Sequence, residues 1–288
     1  MPYSTPRPDA SFGGRHELGQ NFLVDRDTVA AVVRLTADTT GPIVEIGPGD
    51  GALTIPLAAT GRRVTAVELD PRRARGLVRR LPGTVDVVNA DVLAFRFPTR
   101  PHTVVGNIPF HLTTPILRRL LTLPDWDACV LLVQWEVARR RAGVGGASLL
   151  TASWWPWYEF RLHGRVPAHA FRPRPSVDGG LLAIRRRPAP LVADRAGYQA
   201  FTRRVFTARG RGLRQILRGI LPERRVDAWL RTHEVPPHAL PKDLDAAQWA
   251  ALWSVADSPA TVAGTALRED GRRRSTRRGD TTRRTRRA

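Results

Sequence analysis

The chain has 288 residues, and its 46 lysines and arginines against 26 aspartates and glutamates give it a formal net charge of +20. Hydrophobic residues make up 42% of the chain, which is enough for a folded core and excludes a wholly disordered protein. An excess of positive charge on this scale favours a polyanionic partner such as a nucleic acid.

The single cysteine, Cys129, excludes an intramolecular disulfide framework and a multi-cysteine zinc site. Its apolar neighbours predict a core residue. No apolar stretch reaches the roughly 18 residues of a membrane-spanning helix, and the first residues lack the apolar segment of a secretory signal. We therefore expect a cytoplasmic protein with no membrane partner. His16, His102 and His111 show no metal-ligand spacing, so no metal site is predicted.

Residues 1–15 are polar and contain proline and glycine, which predicts a flexible N-terminal lead. After them, short apolar runs alternate with helical patterns. The predicted strands are Pro42–Ile46, Arg63–Leu69, Val85–Asn89, His102–Gly106, Ala128–Val133, Glu159–Val166 and Gly180–Arg186. The predicted helices that accompany the first five strands are Asp25–Ala37, Ala52–Thr60, Pro71–Leu81 and Thr114–Leu123.

This alternation predicts an α/β fold with a doubly wound, mostly parallel sheet. The last two predicted strands are joined by a proline-rich loop, which favours an antiparallel pair at one sheet edge. Beyond residue 190 the pattern is helical, and the predicted helices there are Gly197–Arg218, Glu223–His233 and Asp245–Ala256. We therefore predict an α/β domain at 16–190 and a small all-helical domain at 191–260.

The last segment, residues 261–288, is rich in arginine. A segment with so many like charges repels itself, stays unfolded and binds polyanions without reading their sequence. We predict a disordered tail that adds to nucleic-acid binding. The alternative is a solvated tail without a role.

A glycine-rich turn, Glu45–Gly51, follows the first predicted strand directly. Glycines at such a turn let the backbone come close to a ligand. Their spacing is G-x-G-x-G and not the G-x-G-x-x-G of dinucleotide folds, which favours a nucleoside cofactor. The second predicted strand ends at Glu68–Asp70, and the third is followed by Asp91. The carboxylates of Glu68 and Asp91 are placed for ribose hydroxyls and an adenine amine. Alternatively, Glu68 pairs with Arg72 and Asp91 caps a turn.

The fourth predicted strand ends in Asn107-Ile108-Pro109-Phe110. The Asn107 side chain has both a donor and an acceptor, Pro109 restrains the backbone at Ile108, and Phe110 offers a flat face to a base. These parts suit an exocyclic amine, whose two hydrogens the Asn107 side chain and the Ile108 carbonyl would accept. Both acceptors bind the amine better as positive charge builds on its nitrogen. The alternative is a plain turn with Phe110 in the core.

With these motifs the chain resembles the rRNA adenine-N6 methyltransferases, the group that contains the Erm resistance enzymes and the KsgA-type dimethyltransferases. The resemblance covers about residues 12–258. The segments that carry it are Leu18–Leu23, Glu45–Gly51, Glu68–Asp70, Asp91, Asn107–Phe110 and Ala170–Val177. It implies a class I, Rossmann-like methyltransferase fold that uses S-adenosyl-L-methionine (SAM), with a small C-terminal all-α domain that helps to hold RNA.

The resemblance also implies roles for individual residues. The catalytic residues would be Asn107, Ile108, Pro109 and Phe110. The target adenine would be flipped out of its stack, with Phe110 on one face and Phe171 on the other. The residues implied to bind SAM are Asn21, Leu23, Gly47, Glu68, Asp91 and Asn107.

Within the group, the tetrapeptide Asn-Ile-Pro-Phe and the arginine-rich tail favour the Erm branch, because KsgA-type proteins more usually have Asn-Leu-Pro-Tyr. The implied substrate is an adenine in the peptidyl-transferase loop of protein-free 23S rRNA, methylated by a monomeric enzyme. The implied consequence is resistance to macrolide, lincosamide and streptogramin B drugs. The alternatives are a KsgA-type enzyme acting on 16S rRNA, and a non-catalytic nucleic-acid-binding factor on the same fold.

Two arginine clusters are predicted to bind RNA, because the guanidinium group suits phosphate and stacked bases. They are Arg139, Arg140 and Arg141, and Arg209, Arg211 and Arg214. For each cluster the alternative is an ordinary solvated helix face. The aromatic run Trp154–Trp157 is predicted to be core, because it precedes a sheet strand.

Overall fold

A computed structural model of the chain describes residues 21–258. The predicted lead at 1–15 and the predicted tail at 261–288 lie outside these residues. The described chain divides into two compact units. The first contains the described residues up to Ala142 together with Glu159–Arg186, and the second contains Gly143–Tyr158 and the described residues from Arg187 onward.

The first unit is built on a seven-stranded sheet. Its strands are β2 (Ile43–Ile46), β3 (Val64–Glu68), β4 (Val85–Asn89), β5 (His102–Asn107), β6 (Trp126–Gln134), β7 (Tyr158–Val166) and β9 (Gly179–Arg186). They lie in the order β4-β3-β2-β5-β6-β9-β7. The first five pair in parallel, and β9 runs antiparallel to β6. The predicted α/β fold is confirmed, and all seven predicted strands are present within two residues of their predicted ends.

A second, two-stranded sheet was not predicted. It pairs β1 (Phe22–Leu23) with β8 (Phe171–Arg172) in antiparallel register, with Leu23 opposite Phe171. The pairing continues into the backbone hydrogen bond from the Val24 N–H to the Ala170 carbonyl, at 2.8 Å. This ladder attaches the segment at Asn21–Val24 to the loop before β9.

Two helices of the first unit begin at an aspartate that caps them. Asp25 caps the first helix by accepting from the Thr28 N–H at 2.8 Å. Asp70 caps the third by accepting from the Arg72 N–H at 2.7 Å, with Pro71 at its first position. The helices are α1 (Arg26–Ala37), α2 (Thr54–Ala58), α3 (Pro71–Val78), α4 (Thr113–Thr122) and α5 (Trp135–Arg141).

The central strands of this sheet are buried on both faces, as expected for a doubly wound sheet. Every residue of β2 is buried, and Cys129 in β6 is 1% exposed, which confirms it as a core residue. Strand β2 lies between β3 and β5, so the chain order reverses there. Open α/β sheets bind ligands at the carboxyl ends of the strands beside such a reversal.

The second unit is helical. Its helices are α6 (Leu149–Trp154), α7 (Arg195–Thr207), α8 (Leu213–Arg218), α9 (Glu223–Thr232) and α10 (Ala246–Asp257). Its core is rich in aromatic rings, among them Trp154, Tyr198 and Trp249. The buried Tyr198 hydroxyl donates to the Ala152 carbonyl at 2.8 Å. The prediction that Trp154 is a core residue is confirmed.

The single helix predicted at Gly197–Arg218 is wrong, because the chain turns between α7 and α8. The turn is built on glycines that cannot be replaced without collision. A Cβ on Gly212 would lie 2.8 Å from the Pro237 carbonyl oxygen, and one on Gly210 would lie 2.7 Å from the Ile216 side chain. The segment 143–158, placed by prediction with the α/β domain, falls in the second unit.

Candidate functional site

A cavity opens in the first unit at the carboxyl ends of β2, β3 and β5. Its lining combines the glycine-rich turn, the end of β3, the segment after β5 and the chain at residues 21–24. It brings together most of the predicted site. The predicted residues in its lining are Asn21, Leu23, Gly47, Glu68, Asn107, Ile108, Pro109 and Phe110.

The glycine-rich turn gives the cavity a backbone wall. Gly47, Gly49 and Gly51 all have positive φ, at +66°, +56° and +89°, a region that residues with a Cβ rarely adopt. A Cβ added to Gly47 would meet no atom within 4 Å. The space in front of this backbone is therefore open to a ligand that comes close to the chain.

Glu68 is 1% exposed at the end of β3, and backbone donors hold its carboxylate. Oε2 accepts from the Gly49 N–H at 3.1 Å, and Oε1 accepts from the Asp70 N–H at 2.9 Å. No ion pair joins Glu68 to Arg72 in the described part of the chain. Because a carboxylate oxygen has more than one acceptor position, Glu68 retains the capacity to accept from ligand hydroxyls.

Glu45 is a cavity residue to which the sequence reasoning gave no role. It is 1% exposed, and its Oε2 has no hydrogen-bond partner among residues 21–258. Burial raises the pKa of Glu45 to about 7, with the neighbouring Thr54 hydroxyl opposing the shift and the nearby Glu68 adding to it. The sequence does contain a signal for this role, because Glu45 is a carboxylate within an otherwise apolar strand. A buried carboxylate needs either a partner or a function.

The turn after β5 brings Asn107 and Ile108 to the cavity lining. The Ile108 N–H donates to the Leu132 carbonyl at 2.9 Å, which ties the turn to β6. The Asn107 side-chain amide donates through Nδ2 to the Asn21 carbonyl at 2.6 Å. That bond directs the amide so that Oδ1 remains an acceptor. Phe110, partly exposed, lines the same cavity.

Two predicted residues are placed elsewhere. Asp91 is not in the cavity lining, and its Oδ1 accepts from the Leu93 N–H at 2.8 Å, so it caps a turn. Phe171 is 1% exposed and packs among core residues, with its ring 3.1 Å from where a Gly179 Cβ would be. A ring enclosed in this way has no free face for a base, so the expected stacking by Phe171 does not fit its position.

The predicted arginines have different environments. In the first unit, Arg139 pairs with Glu136 at 3.2 Å. Burial and the neighbouring charges of Arg140 and Arg118 lower the pKa of Arg141. Like charges held this close favour a bound anion.

In the second unit, Arg214 is bound to Asp227 through two bonds of 2.7 Å. These bonds, followed by the charges of Arg214 and its neighbours, hold the pKa of Asp227 below its usual value. Arg209 and Arg211 are exposed and form no ion pair within residues 21–258. The expectation that Arg214 binds phosphate does not fit its bidentate pairing.

Between residues 21 and 258, no cluster of three or more histidine, cysteine or carboxylate side chains is arranged to hold a metal ion. In the same part of the chain, no helix has both the length and the apolar character needed to cross a membrane.

Comparison with known proteins gives the family of the chain. Residues 11–257 match the model of the ribosomal RNA adenine dimethylase family. The mycinamicin-resistance protein MyrB of Micromonospora griseorubida is 56% identical over 244 residues, which cover 84% of this chain and 78% of that protein. An rRNA adenine N-6-methyltransferase of Corynebacterium diphtheriae is 54% identical over 208 residues, 71% of this chain and 82% of that protein.

A solved structure is similar as well. The crystal structure of the 23S rRNA methyltransferase ErmE superposes with a TM-score of 0.78 at 36% sequence identity. The match covers 83% of this chain and 100% of that one.

Proposed function

Because the chain belongs to the ribosomal RNA adenine dimethylase family, we propose that it methylates N6 of an adenine in the peptidyl-transferase loop of 23S rRNA. The methyl donor is SAM. The methylated base confers resistance to macrolide, lincosamide and streptogramin B drugs. The similarity to a mycinamicin-resistance protein and to a 23S rRNA methyltransferase supports this substrate over others. The structural observation that carries the proposal is the single cavity shared by the glycine-rich turn and the Asn107–Phe110 segment.

The residues of the cavity fit SAM. The open space before Gly47 admits a ligand close to the backbone, and the fixed Glu68 carboxylate accepts from ribose hydroxyls. The unpartnered Oε2 of Glu45 gives the cavity a second acidic group, suited to a cationic ligand. When bound, SAM supplies an electrophilic methyl group on a positively charged sulfur. Asn21 and Leu23 close the same cavity from the N-terminal side.

The acceptors of the Asn107–Phe110 turn suit the target amine. An amine conjugated with an adenine ring is a poor nucleophile, and its two hydrogens need partners. Asn107 Oδ1 and the Ile108 carbonyl supply them, and Asn21 keeps the Asn107 amide in the orientation that exposes Oδ1. As the nitrogen gains positive charge, both acceptors hold it more strongly, which lowers the barrier. As the bond to N6 forms, the bond from the methyl group to the sulfur of SAM would break and the donor would leave as a neutral thioether. The cationic nitrogen then loses its acidic proton to water, so no strong base is required.

Phe110 provides the aromatic face for the target base. A stacked or paired adenine cannot bring N6 to the turn, so the base must leave its stack. The partly exposed Phe110 ring lines the cavity beside the amine acceptors. With Phe171 enclosed in the core, Phe110 alone stacks on the flipped base. An adenine already in a loop is cheaper to flip, which favours an RNA substrate.

The RNA backbone contacts arginines of both units. We assign Arg139, Arg140 and Arg141 in the first unit, and Arg209 and Arg211 in the second. Arg214 is left out because Asp227 already binds its guanidinium group. The enzyme works as a monomer on protein-free 23S rRNA in the cytoplasm. In this proposal Asp91 orders its turn through Oδ1 and offers Oδ2 to the amine of the cofactor adenine.

The test is methyl transfer from labelled SAM to protein-free 23S and 16S rRNA in parallel, with the modified adenine mapped. Label confined to the peptidyl-transferase loop of 23S rRNA is expected. Label near the 3′ end of 16S rRNA would instead assign the KsgA-type activity. Bound SAM with no label in either RNA would favour the non-catalytic alternative. Expression in a macrolide-sensitive strain, with the Asn107→Ala variant as control, tests the resistance.

A further inference from the structure

The Phe22 ring lies on the glycine-rich turn of the SAM cavity. A Cβ on Gly49 would be 3.0 Å from one ring carbon of Phe22 and 3.1 Å from the next. Phe22 therefore rests in van der Waals contact with the backbone that a ligand must approach. It also lines the cavity, between the residues Asn21 and Leu23 that are assigned to the cofactor.

Arg73 of α3 holds Phe22 in this place. Its guanidinium carbon is 4.3 Å from the Phe22 ring centroid, within cation–π distance. Its Nη1 donates to Asp50 Oδ1 at 2.6 Å, and its Nε lies 3.8 Å from Asp70 Oδ2. One side chain thus joins the N-terminal segment, the tip of the glycine-rich turn and the residue that caps α3.

The position of Phe22 determines that of its neighbour. The carbonyl of Asn21, joined directly to Phe22, accepts from the Asn107 amide at 2.6 Å. On the other side, Phe22 and Leu23 both pair with β8, opposite Arg172 and Phe171. Asn21 itself forms no other hydrogen bond in the described chain, so its carbonyl depends on how Phe22 is held, by this ladder at the backbone and by Arg73 at the ring.

We propose that Arg73 is a positioning residue for methyl transfer: by holding Phe22 against the Gly49 turn, it fixes the Asn21 carbonyl that orients Asn107. This inference rests on the proposed function. Arg73 touches none of the reacting atoms and acts through Phe22 and Asn21. The ion pair with Asp50 by itself contributes little to holding Arg73, because the Asp50 side chain is 64% exposed. The guanidinium group lies over the Phe22 ring while it bonds Asp50, and this combination holds the ring more firmly than the ion pair alone.

The test compares Arg73→Met with Arg72→Met, a neighbouring exposed arginine whose side chain has no hydrogen bond or ion pair within residues 21–258. Arg73→Met is expected to lower kcat, at saturating SAM and RNA, by roughly 3- to 30-fold, the range of one cation–π contact. Hydrogen exchange at the Val24 and Asp25 amides, which both donate to the Ala170 carbonyl, is expected to accelerate, while exchange in β5 and β6 stays unchanged. Arg72→Met is expected to match the wild type in both measurements.

A second variant separates positioning from general damage. Phe22→Leu removes the ring under Arg73, so adding Arg73→Met to it is expected to cause no further decrease in kcat. Equal kcat for Arg73→Met and Arg72→Met would overturn the proposal. So would additive decreases in the double variant, or a raised KM for RNA with unchanged kcat, which would make Arg73 an RNA contact. If the wild-type protein methylates no rRNA, the proposed function fails, whereas the exchange data still decide whether Arg73 holds the segment.

Discussion

The side-chain amide of Asn107 donates a hydrogen bond to the backbone carbonyl of Asn21, 2.6 Å away and 86 residues earlier in the chain. This bond uses the Nδ2 donor of the amide and leaves Oδ1 as an acceptor, which the proposed function assigns to the target amine. It also makes the active turn depend on a segment that lines the cofactor cavity. Asn21 therefore both lines the cavity and orients the side-chain amide of Asn107.

The first prediction concerns Asn107 itself. Asn107→Ala removes the Oδ1 acceptor, whose hydrogen bond strengthens as charge builds on the amine, so turnover should fall by about 10²- to 10³-fold. The SAM dissociation constant, measured by calorimetry, should change little. Asn107→Asp keeps an acceptor of similar size but cannot donate to Asn21, so its turnover should also fall. Full activity in the Asp variant would show that the bond to Asn21 is dispensable.

The second prediction uses two glycines with similar backbone conformation. Gly47 and Gly61 have φ values of +66° and +76°, and a Cβ on either would meet no atom within 4 Å. Alanine at each should therefore cost a similar conformational strain of about 1–2 kcal/mol. Of the two, only Gly47 lines the cavity. Gly47→Ala should abolish measurable SAM binding, while Gly61→Ala should bind SAM normally and be less stable.

Thermal unfolding supplies the control for this comparison. If both variants melt at similar temperatures and only Gly47→Ala fails to bind, the methyl group blocks the ligand. If SAM affinity falls equally in the two variants, the cavity wall is not where the cofactor lies.

The third prediction follows from the raised pKa of Glu45, about 7 against an ordinary value of 4.5. The folded protein holds the proton of the Glu45 carboxyl group more tightly than the unfolded chain does. Protonated Glu45 therefore stabilises the folded state, and this contribution is complete below pH 4.5. That contribution fades as pH rises toward 7 and is absent above it. It amounts to about 3 kcal/mol. Glu45→Gln removes this titration, so the difference in unfolding free energy between variant and wild type should change with pH between 4.5 and 7.

The same titration should appear in cofactor binding. A cationic ligand in the cavity favours the ionised form of Glu45 and so lowers its pKa. SAM should therefore bind the wild type more tightly at about pH 8 than at about pH 6 and release protons on binding near neutrality. Calorimetry in buffers of different ionisation enthalpy measures that release. Glu45→Gln should show a flatter pH dependence, and identical profiles for the two proteins would remove Glu45 from the cofactor site.

Local patterns were sufficient to predict most of the sheet, because its strands are short apolar runs with few competing structures. The glycine-rich turn and the Asn107–Phe110 turn were also predictable, because each directly follows a strand. Contacts between distant residues were not. Nothing near Asn21 indicates that it meets Asn107, and nothing near Phe171 shows that β1 and the core enclose it.

Helix α5 was missed because it follows β6 without a turn signal, and its sequence Trp135–Arg141 resembles a basic surface segment. The pairing of Arg214 was also beyond local reasoning. Its partner, Asp227, lies on the following helix, 13 residues later in the chain. An arginine cluster identified from the sequence therefore mixes free cations with neutralised ones.

The last prediction separates these two kinds of arginine. Arg209 and Arg211 have no ion-pair partner within residues 21–258, so replacing both with glutamine should remove up to two phosphate contacts. The slope of log affinity for rRNA against log salt should then become shallower by about 0.7–0.9 for each phosphate that is no longer bound. Because no acidic partner is stranded, thermal stability should be unchanged.

Arg214→Gln is the matched control, since it also removes one positive charge from the same unit. Asp227 would lose the bidentate partner that contributes most to lowering its pKa and would keep only the longer ion pair with Arg218, at 3.7 Å. This variant should therefore be less stable, while its salt slope for RNA binding stays near that of the wild type. Stability should be compared at about pH 7 and about pH 4, because the contribution of the pair is present above the ordinary pKa of Asp227 and fades as pH falls through its lowered value. If Arg214→Gln reduces the salt slope as much as a single substitution at Arg209 does, then Arg214 binds RNA phosphate despite its pairing with Asp227.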